Sequence, residues 1–401
     1  MITRIAFGVL AGLMLAACGS STSVSVHSPT VSSSAAGSPG ASPTAGSGSP
    51  VASFPTPNPA TSSVHAVSAT CSAPPAAGEQ LALVSLRGVA GVVVRDITDI
   101  GHPKTRCTIA GGVYLKFISA TKISYVVTAS GDQGAAGAMY MFDMASGNTS
   151  LVRSWSYTGF GAGIYAWSPD ASHLSYLSSD TSGMKWHLLS AAGDKTLASL
   201  GTVPGRGISA DSDDITVGFS ADGNYVAVEQ TFVGTTHIQV NRVSDASMVY
   251  SRNDGTMGAW GGAGARFYFR TTSGVSAWDP TGGVVSIAPG LVWIRPRPSP
   301  DGSRMVFSVL NAQGNHVSQV LDLTSGSIGS LSPNPRTNPG FLNASLVWYA
   351  GETICTTATP CGLGGPPLSG TTYIYDLGSG VENGSIDTAY YDEWPHVVGQ
   401  S

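Results

Sequence analysis

The chain has 401 residues, of which 42% are hydrophobic and 11% charged, with 51 Gly, 24 Pro and a formal net charge of −5. The charged fraction is less than half the roughly 25% of an ordinary soluble domain, and five Lys and fourteen Arg spread along the chain form no basic stripe for phosphates, which excludes nucleic acid as a partner. Hydrophobicity is evenly spread, which excludes a polytopic membrane protein.

Met1–Arg4 reads as a short n-region with one positive side chain, and Ile5–Leu15 as an uncharged h-region, shorter than the roughly 20 residues of a membrane-spanning helix. It runs directly into Leu15-Ala16-Ala17-Cys18. That small-residue pattern ending in Cys resembles the lipobox of bacterial lipoproteins. The resemblance implies cleavage before Cys18, diacylation of its thiol and acylation of the new amino terminus. Two or three acyl chains give stable anchoring, since each buried CH₂ contributes about 0.8 kcal/mol and one chain alone is marginal. Residues 1–17 are therefore expected to be a lipoprotein signal peptide. The mature protein is expected to be exported and lipid-anchored to the outer face of a bacterial membrane. An ordinary cleaved signal peptide is the alternative.

From Cys18 to Ala77 the composition turns to Ser, Thr, Pro, Ala and Gly, and no Asp, Glu, Lys or Arg occurs between Arg4 and Glu79. Such a segment buries too little apolar surface to offset its ordering entropy, so residues 18–77 are expected to be a disordered tether. As a flexible coil it spans about 40 Å end to end, enough to lift a domain off a membrane. Four cysteines remain for an oxidising compartment: Cys71, Cys107, Cys355 and Cys361. Three pairings are possible; Cys71–Cys107 and Cys355–Cys361 are favoured, the latter closing the short loop CTTATPC. No His or Cys flanks them at zinc-ligand spacing, so disulfides are preferred over a metal.

Beyond residue 78, short β-type runs alternate with Gly, Ser, Asp and Asn turns, and no long 3.6-period segment appears, which argues an all-β fold. Self-comparison finds a repeat: IYAWSPDASHLSYLS (Ile164–Ser178), ITVGFSADGNYVAVE (Ile215–Glu229) and IRPRPSPDGSRMVFS (Ile294–Ser308), each a strand, a tight turn and a second strand. Weaker copies start at Val113, Met257 and Gly340. A second signature, Asp with Gly four residues on, recurs as DMASG (Asp143–Gly147), DPTGG (Asp279–Gly283), DLTSG (Asp322–Gly326) and DLGSG (Asp376–Gly380), where a third strand turns into a fourth. Four strands per unit of about 40 to 50 residues is β-propeller spacing. The two signatures together resemble the TolB-like propeller family, over residues 80–396. The α/β domain that precedes the propeller of TolB itself has no counterpart here, since the tether holds that place.

Six inner strands start near residues 113, 164, 215, 257, 293 and 340. Before 113 stand three strands only (LALVSL, GVVVRDI, KTRCTI), and the last segment, AYYDEWPHVVG (Ala389–Gly399), reads as one strand. Joining the two ends completes a blade and removes an open edge, so residues 78–401 are expected to form a seven-bladed propeller closed by the C-terminal strand, with six blades as the alternative.

The tight turns occupy one face of such a propeller. The opposite face would carry the longer connections, Ser130–Ala138, Ser154–Gly163, Gly201–Asp214, Ser330–Gly340 and Gly351–Thr371, and loops concentrated on one face point to binding there. Trp155, Tyr157 and Phe160 could stack on a sugar or peptide, or pack between blades. Arg206, Asp211, Asp213 and Asp214 share one loop, whose acids lack the spacing of a calcium loop, so no metal site is expected. Aligned inner strands present Lys116, Ala166, Gly218, Ala259, Arg297, Gly340 and Glu393 to the channel. Arg295 and Arg297 on one strand would hold an anionic group such as a carboxylate, or pair with Glu393 or Asp392.

No nucleophile elbow, zinc motif, P-loop or dinucleotide fingerprint occurs, so no cofactor and no catalytic residue is assigned. The expectation is a monomeric binding or scaffold module that takes a protein or a cell-envelope polymer through its long-loop face. The alternative is an extracytoplasmic lyase or hydrolase acting on glycan or peptide, with its site at the mouth of the channel.

Overall fold

In the computed structural model the described residues are 64–85, 91–128, 137–155, 164–180, 182–202, 215–232, 235–356, 368–383, 390–391 and 396–397. The chain divides into two units between Ser49 and Pro50. The first unit, Cys18 included, lies outside the described residues, as does most of the tether, and the described fold belongs wholly to the second.

All regular structure among the described residues is β-strand. Seven antiparallel sheets succeed one another along the chain. The first contains β1 (Ala69–Cys71), β2 (Gln80–Ser85), β3 (Val92–Asp96) and β4 (Lys104–Ile109). The second is built from β5 (Val113–Ser119), β6 (Lys122–Thr128), β7 (Gly137–Asp143) and β8 (Asn148–Trp155), the third from β9 (Tyr165–Trp167), β10 (His173–Asp180), β11 (Gly183–Ser190) and β12 (Gly193–Gly201). The fourth comprises β13 (Ile215–Phe219), β14 (Tyr225–Phe232), β15 (Thr235–Arg242) and β16 (Met248–Arg252). The fifth holds β17 (Thr256–Trp260), β18 (Phe267–Thr271), β19 (Gly274–Asp279) and β20 (Gly283–Pro289). The sixth holds β21 (Ile294–Pro298), β22 (Arg304–Leu310), β23 (His316–Asp322) and β24 (Ile328–Ser330), and the seventh β25 (Arg336–Phe341), β26 (Leu346–Glu352), β27 (Leu368–Asp376) and β28 (Val381–Asn383). Two short C-terminal strands, β29 (Tyr390–Tyr391) and β30 (His396–Val397), return to pair with β2. The molecule is a seven-bladed propeller, closed as the two chain ends predict.

Burial grades across each blade. Second strands are covered on both faces by neighbouring blades: Met305, Val306 and Phe307 of β22 are all fully buried. Fourth strands face solvent and read polar or sparse, as in the exposed start of β8. Apolar clusters therefore lie between blades. Val126, Met139 and Trp155 of the second blade, for example, pack on Tyr165, Leu174 and Tyr176 of the third.

The repeated turns have one mechanism. Ser168, Ser220 and Ser299 each donate Oγ–H to the aspartate two residues on, at 2.6, 2.6 and 2.5 Å, and each accepts the N–H five residues on at 2.9, 3.0 and 2.9 Å. The aspartates Asp170, Asp222 and Asp301 accept the N–H of residues 172, 224 and 303. In the other signature Asp143, Asp279, Asp322 and Asp376 each accept the amide two residues on. The Gly four residues on takes a φ of +70° to +74°.

Three boundaries differ from those expected. Folded structure is present before residue 78: β1 adds an outer strand to the first sheet, Val64 is buried, and Tyr140 donates its hydroxyl to the Val64 carbonyl at 2.9 Å. A Ser- and Pro-rich composition hides this because the apolar residues involved, Val64 and Val67, are few and gain cover only from a core shared by the first and second blades. The connection expected over Ser330–Gly340 is shorter, since β25 already begins at Arg336. The single C-terminal strand is two short ones, either side of residues 392–395, which fall outside the described set. Cys71 and Cys107 are a directly paired couple on β1 and β4 and form the expected disulfide. Cys355 is disulfide-bonded too, and Cys361 lies outside the described residues.

Candidate functional site

Inner strands begin on the long-loop face, and there four of them are irregular. Register shifts in β5, β17, β21 and β25 coincide with Tyr114, Met257, Arg295 and Asn338, whose φ angles are +54°, +52°, +50° and +53°. A bulge with a non-glycine residue in the left-handed region re-aims a side chain and holds strain, and such features concentrate at working surfaces.

One bulge has a visible clamp. Glu229 of β14 accepts the amides of Met257 and Gly258, both at 2.7 Å, and the hydroxyls of Thr231 and Thr256 at 2.9 and 3.2 Å. Arg270 donates to the Trp293 carbonyl at 2.9 Å. Burial pulls its guanidinium below the ordinary pKa, and the Glu229 charge opposes that pull.

The positions expected to face the channel stand in equivalent register from blade to blade. Lys116, Ala166, Gly218, Ala259, Arg297 and Gly340 occupy equivalent places opposite the second strand of each blade. Arg297 passes over Gly340, where a Cβ would stand 3.3 Å from its Nη1, and lies 5.7 Å from the Trp348 ring. Arg295 is exposed and donates Nη1–H to the Asn338 side-chain oxygen of the seventh blade at 3.1 Å. Both arginines of the pair thus reach from the sixth blade to the seventh.

The same two blades are fastened at their rim. Asn315 donates Nδ2–H to the Cys355 carbonyl at 3.0 Å and accepts its amide at 2.8 Å. Glu352, whose side chain is 2% exposed, takes the His316 amide at 3.1 Å and contacts its Nδ1 at 2.7 Å. Around this rim stand Val292, Leu310 and Ile354, at 58%, 56% and 60% exposure. Of the eleven large hydrophobic residues exposed among the described ones, six lie on outer fourth strands and five on the long-loop face, the other two being Val113 and Tyr114. None of these eleven lies within a tight turn itself, although Met248, Val284, Ile328 and Val381 stand at the start of outer strands directly after one.

Of the aromatic candidates, Trp155 is 8% exposed and meets Tyr176 edge-on in the interblade core, so it packs between blades. Tyr157, Phe160, Arg206, Asp211, Asp213, Asp214, Asp392 and Glu393 lie outside the described residues. The structure brings Arg295 and Arg297 together and adds residues that sequence reasoning missed. Glu352 had a signal: it is an acid at the end of a strand otherwise apolar on both faces, and such a charge needs a partner; Glu229, followed by Gln230 and Thr231, had a weaker one. Val292, Leu310 and Ile354 had none, since an apolar residue at a strand end reads as core until its cover is known.

A second polar cluster sits between the second and third blades. Ser178 Oγ and His187 Nε2 are 2.7 Å apart, and His187 Nδ1 lies 3.3 Å from Asp194. The order is that of a nucleophile relay. Yet His187 stacks on Tyr176 at 4.8 Å, and Asp194 also takes the Tyr176 hydroxyl at 2.5 Å and Arg153 at 2.9 Å. Burial alone would raise the Asp194 pKa, but these donors outweigh it and hold the carboxyl down to about 2. We read this cluster as an interblade fastening.

No protein-family model and no curated protein matches the chain. Solved structures similar to it include a prolyl endopeptidase, 14% identical over 82% of this chain and 50% of that one, with a TM-score of 0.52. TolB from Acinetobacter baumannii is 15% identical over 76% of this chain and 80% of its own, with a TM-score of 0.41. The β-propeller domain of the Trilobed protease from Pyrococcus furiosus is 9% identical over 68% and 82%, with a TM-score of 0.47. The chain spans half of the prolyl endopeptidase, and that likeness is one of propeller fold alone.

Proposed function

We propose that the protein is an exported, lipid-anchored binding module that takes a protein partner on the long-loop face of its propeller. The observation that carries this is the distribution of exposed apolar side chains: among the described residues, apart from the outer strands, they lie on that face alone, next to an arginine pair and on fastened loops. Interface cores combine apolar anchors with Arg in this way, and fastening the loops beforehand lowers the entropy cost of binding. The Cys71–Cys107 disulfide supports an oxidising, extracytoplasmic setting, and the Cys18 lipobox supports an anchor, with residues between it and Val64 as spacer.

A photo-crosslinking side chain placed at Leu310 or Ile354 should capture partner in intact cells, whereas the same group at Thr281 on the tight-turn face should not. Equal capture from both faces, or capture from Thr281 alone, overturns the proposal.

A further inference from the structure

We infer that Arg270, at the mouth between the fifth and sixth blades, receives a carboxylate carried by the protein partner. This rests on the long-loop face being the working surface and adds the chemistry that meets it there. Arg270 is the penultimate residue of β18, and the connection that follows it, Thr272 and Ser273, lies on that face. Its side chain is half-buried and spends one N–H, from Nη1, on the Trp293 carbonyl at 2.9 Å. Among the described residues no carboxylate touches it. Arg106, Arg153, Arg242, Arg252, Arg266 and Arg336, by contrast, each contact an Asp or Glu side chain directly. The charge of Glu229 reaches Arg270 through space, but the Glu229 oxygens already accept two amides and two hydroxyls.

A guanidinium drawn partly out of water against one neutral acceptor is under-compensated. Its anchor at Nη1 leaves the Nε and Nη2 edge, and both of those nitrogens reach solvent. That edge carries two parallel N–H donors and grips a carboxylate in two-pronged geometry. Its support is fixed. Trp293 is fully buried and donates Nε1–H to the Met257 carbonyl at 3.0 Å, so the carbonyl that holds Arg270 is itself held. Immediately before Trp293 stands Val292, at 58% exposure. A cation held in one direction beside an exposed aliphatic side chain matches a peptide carboxylate flanked by an apolar residue, and fixing both beforehand lowers the cost of binding.

The test uses the mature full-length chain and fluorescence anisotropy with three labelled pentapeptides. The first is Ser-Leu-Glu-Leu-Ser with an amidated end, the second has Gln for Glu, and the third is the Gln peptide with a free terminal carboxylate. Binding of the first assigns the carboxylate to an Asp or Glu side chain, and binding of the third to a chain terminus. The neutral peptide should bind about tenfold more weakly than the better acid. Arg270→Gln should abolish that preference and bring acid and neutral peptides to one affinity, whereas a purely structural arginine would weaken all three alike. Arg270→Lys, which keeps the charge without the fork, should fall between. Val292→Asp sets a competing carboxylate beside the guanidinium at an exposed position, and it decides the matter should Arg270→Gln lower the thermal melt. The acid peptides should then lose about tenfold more than the neutral one. Equal binding of acid and neutral peptides, no binding of either acid at millimolar concentration, or an acid preference that survives both variants overturns the inference. Crosslinking at Leu310 or Ile354 without an acid preference would reject the carboxylate site and leave the face standing. Capture only from Thr281 would reject the face itself.

Discussion

Ala171, Gly223 and Gly302 hold the same place in three copies of the tight turn, at φ of +58°, +72° and +70°. The turn therefore demands the left-handed region whatever residue is present, and Ala171 shows that a Cβ is tolerated there at a cost of about 1–2 kcal/mol. What lies beyond the Cβ distinguishes the other two. At Gly223 the nearest atom to an added Cβ is Pro169 Cδ at 3.7 Å, an ordinary contact, whereas at Gly302 it would stand 2.7 Å from the Ala263 amide nitrogen of the preceding blade. Gly223→Ala should therefore cost about 1–2 kcal/mol, the conformational term alone. Gly302→Ala should cost clearly more, because two backbones must separate. Urea midpoints of the two variants decide it, and equal shifts would mean that the two blades do not press on each other at this turn. The turns themselves were legible in the sequence, because Ser, Asp and Gly act on their own neighbours. The pressing of Gly302 on the preceding blade was not, since it depends on a residue 39 positions away.

At the scale of the turn and the strand, several of the repeated aspartates are held below the ordinary carboxylate range. The Asp279 carboxyl is held down to about 2 by the Thr281 hydroxyl and amide and the Gly282 amide, and Asp301 is lowered by the Ser299 hydroxyl and the Ser303 amide. Asp170 and Asp222 are lowered as well: burial pushes them up, but their serine and amide donors prevail. A carboxyl whose pKa is lower in the folded state contributes stability above its unfolded value, near 4, and that contribution fades as pH falls through the folded value. Melting temperature should therefore be flat from pH 6 to about 4.5 and fall between about 4 and 2. Asp301→Asn should melt lower than the parent at pH 6 and approach it at about pH 2.5; a variant equal to the parent at pH 6 would show that the turn gains nothing from the charge. The inner strands mark the limit of the same legibility. Their start positions and equivalent register followed from the repeat, but the bulges at Tyr114, Met257, Arg295 and Asn338 did not, because no Gly marks them and their support, such as Glu229, comes from a neighbouring blade.

For the whole molecule the decisive element is the smallest. Seven blades were countable from sequence because three strands at one end and one at the other are complementary remainders of a four-strand unit. Among the described residues the closure they make rests on four residue pairs: Val84 with Tyr391, Ser85 with Tyr390, Gln80 with Val397 and Leu81 with His396. Behind them β2 presents Leu81, Ala82, Leu83 and Val84, all fully buried. The other end of the same sheet is secured differently, by β1 and the Cys71–Cys107 disulfide, so the first blade is tied covalently on its outer side and, among the described residues, by strand pairing on its inner side. Removing residues 390–401 should thus leave β2 with an unpaired, apolar edge beside the channel, the kind of edge that recruits another chain. Such a chain is expected to lose several kcal/mol in urea denaturation, since burial of four apolar side chains is put at risk, and to run as oligomers in size-exclusion chromatography. The disulfide cannot compensate, because it fastens the opposite edge. A truncated chain that stays monomeric with an unchanged urea midpoint would place the closure of the ring elsewhere.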